Sequence, residues 1–180
     1  SIVRIDHDGW TLVRKGVYDE RMLNHFMRRK IGFVCTGNTC RSPMAAGLAK
    51  TYLAEQLHCR VGDLRSHGME VFSAGVFASD GLRPSPEAIH AARERGADIS
   101  RHKSRKLTLD LIKSSDLLFC MTASHLDSVK ELTGDAATIV CLLDEDWEVP
   151  DPIGGGQDVY NKTAEHIQQA VQKRLQECVL

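Results

Sequence analysis

The chain has 180 residues, 42% apolar and 26% charged, with a net charge of −1 when histidine is neutral. That is the profile of one globular domain with a real core plus an appendage. A balance so near zero gives no footprint for nucleic acid or a membrane surface as partner, and no apolar run approaches the roughly 20 residues of a membrane-spanning helix.

Charged Arg4, Asp6 and Asp8 interrupt the start of the chain, so no signal peptide is read there, and Ser1 in place of Met points to a piece of something longer. Six cysteines, Cys35, Cys40, Cys59, Cys120, Cys141 and Cys178, are irregularly spaced. They do not read as a disulfide framework, and a reducing, cytoplasmic setting is expected.

Taken in chain order, residues 1–16 read as a hairpin, with Ile2, Val3 and Ile5 against Trp10, Leu12 and Val13 around an Asp8-Gly9 turn. Residues 18–29 read as a short basic helix. Together, 1–29 form an N-terminal extension. Residues 31–35 are an apolar run of the kind buried on both faces of a sheet. A Gly-containing turn follows. Then comes a helix over 43–58, with Pro43 in its first turn and Met44, Leu48, Thr51, Tyr52 and Glu55 at helical spacing. A second strand is predicted over 70–74. A charged helix begins at Ser85-Pro86 and runs to Arg95, stopped by Gly96. A short helix over 108–113, a third strand over 116–121 and a helix over 123–132, ended near Gly134, come next. A fourth strand is predicted over 138–142. Residues 144–157 hold acids, two prolines and three glycines and read as a loop. A long helix over 158–178 closes the chain, with Asp158 as cap and Val159, Ala164, Ile167, Val171 and Leu175 as its apolar stripe.

Strands alternating with helices over 30–180 predict an α/β domain: a parallel sheet with helices on both faces. Sites in such sheets lie at the carboxyl ends of strands. The first strand ends in Cys35.

Residues 35–42 read Cys35-Thr36-Gly37-Asn38-Thr39-Cys40-Arg41-Ser42. A loop returning on itself between a strand and a helix aims backbone N–H groups inward, and the helix adds the positive end of its dipole. Gly37 and Asn38 are the residues most able to take left-handed backbone. Arg41 offers a planar fork for two phosphate oxygens. The same field is expected to lower the Cys35 thiol into the range of about 3.5–7.5. The thiolate can then attack phosphorus, and Ser42 can steady it as it leaves. The plainer alternative is a buried structural cysteine beside an arginine on a solvated helix start. A nucleotide-binding loop is excluded, since no Lys follows at the required spacing. Zinc would need two ligands beyond Cys35 and Cys40, and no second close pair is present. No metal and no cofactor are expected.

With Pro43 and Met44 after this loop, Ser73-Ala74-Gly75, Ser100-Arg101-His102, Met121-Thr122 and Asp151-Pro152, the chain resembles the low-molecular-weight protein tyrosine phosphatase family over about 30–178. The resemblance implies a four-stranded parallel sheet of flavodoxin-like order and a phosphorylated protein as substrate. It places the general acid at Asp151 and loop-bracing residues at Asn38, Ser73 and His102. An acid is needed because the leaving group departs poorly as an anion; Asp144 and Asp146 are the next candidates. Cys40, five positions after Cys35, is expected to resolve a sulfenic acid by forming a disulfide.

Tyrosine-specific members carry an aromatic after the Asp-Pro, where Ile153-Gly154-Gly155-Gly156 stands here. Thr39, with Ser73-Ala74-Gly75-Val76-Phe77-Ala78-Ser79, is similar to the bacterial protein-arginine phosphatases of the same family. There the threonine is implied to favour a guanidinium leaving group. The reading leans to phosphoarginine, with phosphotyrosine as the alternative. Arsenate reductases share the fold and cradle, but their relay needs a close pair of cysteines, and Cys120, Cys141 and Cys178 are scattered. A phosphate-binding module needs neither thiol nor acid. Finally, Ser1-Ile2-Val3-Arg4 with Trp10-Thr11-Leu12-Val13-Arg14-Lys15-Gly16 resembles the end of a threonylcarbamoyl-AMP synthase domain, which implies that the chain is the phosphatase end of a tRNA-modification fusion.

Overall fold

The computed structural model describes residues 1–6, 9–133 and 139–179. Strands β1 (Ile2–Asp6) and β2 (Gly9–Arg14) pair antiparallel, as their alternating pattern predicts, in a two-stranded sheet of their own. Asp8 of the expected turn lies outside the described residues. Helix α1 (Glu20–Phe26) is shorter than the predicted 18–29. Asp19 caps it by accepting from the Met22 amide, and Arg29 is already a strand residue, paired with Met69.

The main sheet contains β3 (Arg29–Cys35), β4 (Met69–Gly75), β5 (Leu117–Cys120) and β6 (Ile139–Leu142), all parallel, in the order β4-β3-β5-β6. This is the flavodoxin-like order. Thr138, at the start of the predicted fourth strand, and Gly134, at the predicted helix end, lie outside the described residues. Five helices cover the sheet: α2 (Arg41–Gln56), α3 (Pro86–Arg93), α4 (Leu109–Lys113), α5 (Ala123–Thr133) and α6 (Gln157–Cys178).

The two faces follow the period of two along each strand. Ile31, Phe33, Cys35, Leu117 and Phe119 face α2, α3 and α6 in the larger core, where Phe33 and Phe119 stack at 5.6 Å. Val34, Phe72, Ala74, Leu118 and Cys120 meet Ile112 and Val129 on the face of α4 and α5. At Gly32, a Cβ would stand 2.4 Å from Leu118 and 2.5 Å from Phe72, so only glycine lets those side chains meet over β3.

Two details of the helices differ from the sequence reading. Helix α6 starts at Gly156, which caps it without a side chain, and Asp158 sits in the first turn, where its charge faces the positive end of the dipole. Val159 is exposed, and buried Tyr160 takes its place on the inner stripe with Ala164, Ile167, Val171 and Leu175. Glu55 of α2 is likewise exposed, whereas Arg41 and Ser42 at its start are buried. That burial of a charge at a strand's carboxyl end marks the site. No helix among the described residues is long and apolar enough to cross a membrane.

Candidate active site

The loop 36–40 joins the end of β3 to the start of α2. Its tightest point is Asn38, with φ at 56°, the left-handed conformation expected of it. Gly37 does not share that conformation, so the turn rests on Asn38 alone. Adjacent Gly75, at the end of β4, allows the loop to lie against the sheet. A Cβ there would stand 2.3 Å from the Thr36 carbonyl oxygen and 3.0 Å from the Asn38 nitrogen. The chain beyond β4 then fastens the loop, as the Val76 and Phe77 amides donate to the Cys35 and Thr36 carbonyls at 2.9 and 3.0 Å.

Asn38 is fully buried and fully engaged. Its side-chain amide donates to Ser42 and Ser73, both at 2.9 Å, and its side-chain carbonyl accepts the Arg105 amide at 2.9 Å. Its backbone carbonyl accepts from His102 Nε2 at 3.0 Å, and its backbone amide points at Cys35 Sγ at 3.3 Å. Arg105 also donates through Nε to the Ser73 carbonyl at 2.9 Å. The structure thus brings Asn38, Ser73 and His102 together around the loop and adds Arg105, which the sequence reading did not single out. Burial, together with Lys50 and Arg105, keeps His102 below the usual histidine range; this favours the neutral ring, with its proton on the nitrogen facing Asn38.

Cys35 Sγ lies 2.9 Å from Ser42 Oγ. Burial pushes this thiol up, outweighing the lowering by Ser42, the Asn38 amide and the Arg41 charge. The expected lowered thiol is therefore not met in this arrangement. Arg41, 5% exposed, is committed elsewhere: it donates to the Val149 carbonyl at 3.2 Å and to Asp151 at 2.5 Å. Asp151 is held from behind by the Ile153 amide at 3.2 Å. The two alternative acids point elsewhere. Asp144 accepts from His166 and Asp146 lies near Lys173.

Thr36 has a partner that sequence reasoning missed. His125, buried at the start of α5, contacts Thr36 Oγ1 through Nε2 at 2.8 Å and Thr122 Oγ1 through Nδ1 at 2.6 Å. Burial, and then the Arg41 charge, hold it down to about 4, so it is neutral at pH 7. A histidine just beyond the carboxyl end of a predicted strand was the available signal. Thr39 is half-buried and its carbonyl accepts the Ser85 amide at 3.0 Å. Cys40 caps α2 without a side-chain bond to it, and its thiol meets Tyr160 at 3.5 Å and Ser85 at 3.6 Å. A Cys35–Cys40 disulfide would first have to release those contacts. All six cysteines are free thiols. Among the described residues, no group of three or more His, Cys, Asp or Glu is placed to hold a metal ion.

The chain is similar to known proteins in sequence and in fold. The family described as low molecular weight phosphotyrosine protein phosphatase matches residues 30–179. A protein-arginine-phosphatase of Bacillus subtilis is 34% identical over 146 residues, covering 78% of this chain and 91% of the relative. An arsenate reductase of Staphylococcus aureus is 31% identical over 146 residues, covering 81% and 95%. A solved structure of YwlE arginine phosphatase, a cysteine-to-serine mutant with a phosphorylated active-site serine, superposes with a TM-score of 0.71 at 34% identity. It covers 83% of this chain and 97% of that one.

Proposed function

The chain belongs to the low molecular weight phosphotyrosine protein phosphatase family, and we propose that it hydrolyses phosphoarginine on proteins with Cys35 as nucleophile, Arg41 as clamp and Asp151 as acid. The observation that carries the assignment of roles is the meeting of all three at the carboxyl end of β3. Cys35 lies against Ser42, and Arg41 reaches Asp151 across the loop.

The reaction then runs in two displacements. The incoming phosphoryl group takes over the fork of Arg41 and the inward amides of residues 36–42, which frees Asp151. A thiol raised by burial gives its proton to a phosphoryl oxygen as it attacks phosphorus. The P–N bond breaks as Asp151 hands its proton to the departing guanidino nitrogen. In the second step the Asp151 carboxylate takes a proton from water, whose oxygen attacks the phosphocysteine. The sulfur leaves toward the Ser42 hydroxyl, and phosphate is released. Asn38, Ser73, His102 and Arg105 act by positioning, since each fixes the loop whose amides face the phosphate. The reaction needs no metal and no cofactor, but it needs a reduced Cys35, which fits a cytoplasmic setting. Residues 1–29 are read as a separate extension whose two-stranded sheet does not join the four-stranded one, although its last residue, Arg29, already begins β3.

Thr39 supports the choice of phosphoarginine. Its hydroxyl can meet a guanidinium, and no aromatic follows Pro152. The phosphotyrosine reading draws on a different observation: Phe77 and Trp147 are 79% and 75% exposed in the loops after β4 and β6, available as ring walls. Replacing Thr39 by Ile separates the two. Leaving a donor-rich group unpartnered costs on the order of 1–3 kcal/mol, so phosphoarginine kcat/KM should fall roughly tenfold to a hundredfold. Phosphotyrosine kcat/KM should hold or rise. A parallel change on both substrates would put phosphotyrosine in front.

A further inference from the structure

Behind the loop, at the outer edge of β4, lies a second cavity of about 390 Å³ between α2 and the 98–105 segment. Lys50, Arg101, Lys103 and Arg105 line it, with His102 beside them and one acid, Asp98. Asp98 is already occupied, accepting the Ser100 amide at 2.9 Å. Four cations thus share the cavity wall with a single acid that is turned to its own backbone.

Arg101, Lys103 and Arg105 are exposed, and by themselves would be an ordinary solvated surface. Lys50 is different. It is only partly exposed, yet has no hydrogen-bond acceptor and no ion-pair partner among the described residues. Burial and the nearby Arg105 charge both act against its protonated form. Arg105 is exposed; its Nε serves the Ser73 carbonyl, its guanidinium lies 4.9 Å from the centre of the Phe72 ring, and its terminal nitrogens have no acceptor among the described residues, which leaves them open to an anion. A half-buried ammonium without a partner is costly unless something supplies a counter-charge.

We propose that this cavity is a second anion site, taking a small polyanion of the charge of pyrophosphate or a phosphorylated metabolite between Lys50 and Arg105, and that its occupancy is felt at the catalytic loop through Asn38. The connection is direct. Two of the bonds that hold Asn38 come from the cavity wall, one from His102 and one from the Arg105 amide. An anion there offsets the Lys50 and Arg105 charges, which add to burial in holding His102 down, and so favours the imidazolium, a stronger donor to the Asn38 carbonyl. The site does not depend on which phosphorylated residue the enzyme hydrolyses.

The test keeps the catalytic cradle filled. Pyrophosphate is titrated calorimetrically into the whole protein saturated with vanadate, which occupies the place of the phosphoryl group, so that any remaining binding lies outside the cradle. The expected result is one saturable site per chain, weakened by salt and not reproduced by acetate. Lys50→Gln should weaken it roughly tenfold to a hundredfold, Lys50→Arg should retain it, and turnover of p-nitrophenyl phosphate without pyrophosphate should be unchanged in both. A double change of the exposed pair, Arg101→Ser with Lys103→Ser, should weaken binding without burdening the fold. In the wild type, pyrophosphate should also move the NMR titration of the His102 ring upward. Absence of binding to the vanadate-filled protein, or binding indifferent to all of these substitutions, overturns the site. Binding that depends on Lys50 but leaves the His102 titration in place overturns its connection to the loop.

Discussion

At the carboxyl end of β3, Asn38 is fully buried and every polar atom of its side chain has a partner. In the hairpin of β1 and β2, Ile5 is 72% exposed and Val13 is 55% exposed, and the two strands pair only with each other. Both regions are short stretches of chain. They differ in how many independent constraints converge on each residue. The catalytic loop is held by β4, by α2, by the segment carrying His102 and Arg105, and by α5 through His125. A loop so constrained keeps its amides aimed without reorganising when phosphate arrives, which is how a preorganised site stabilises developing charge. Among the described residues of the hairpin, Ile2, Ile5 and Val13 stay exposed, and Val3, Trp10 and Leu12 are only partly covered.

This contrast predicts where substitution is felt. The largest effect is expected at Asp151. Asp151→Asn should lower turnover of a phosphate ester with a poor leaving group by roughly 10² to 10⁴. It should also remove the alkaline fall of the pH–rate profile, because that fall reports loss of the acid's proton. An unchanged profile would shift the role to Asp144 or Asp146.

A smaller effect concerns stability. His125 has an ordinary value of 6.5 and is held at about 4 in the fold. Between those values the unfolded chain binds the proton and the folded chain does not, so stability is complete above pH 6.5 and falls as the pH drops toward 4. The contribution lost by about pH 4.5 is roughly 2–3 kcal/mol. Urea melts of wild type and His125→Gln at pH 7 and pH 4.5 measure it. The variant should show a shallower decline, and equal declines would mean that His125 does not titrate as its burial requires.

The smallest effect belongs to the hairpin. Removing residues 1–27 should leave kcat/KM within about twofold, since none of the loop's supports comes from that segment. A large loss of activity would break the contrast by tying the extension to the site.

The same contrast explains what could be read in the sequence. The central strands of the main sheet were legible because burial on both faces leaves continuous apolar runs, as in Ile31 to Cys35; β6, at the edge and only partly covered, was legible from its apolar composition. The loop was legible because Cys35, Asn38, Arg41 and Ser42 lie within eight residues and their chemistry is local. The supports from afar were harder. Ser73 and His102 came only with the family resemblance. Arg105 and His125 were missed, because a bond between residues 67 or 89 positions apart leaves no periodic trace. Helix ends were misplaced where a backbone cap replaced a side-chain one, as at Gly156 instead of Asp158. At Cys35 the motif announces the nearby charges and hydrogen bonds but not the burial that opposes them.

The central claim is that phosphate passes through the sulfur of Cys35. Asp151→Asn should form the phosphoenzyme from p-nitrophenyl phosphate, whose leaving group needs no acid, and hydrolyse it slowly for want of a base. Quenching that reaction in denaturant and mapping the peptides locates the intermediate. The account predicts a phosphoryl group on Cys35 and none in a Cys35→Ala, Asp151→Asn double variant. A phosphoryl group on any other side chain, or turnover by the double variant equal to that of Asp151→Asn, would contradict it.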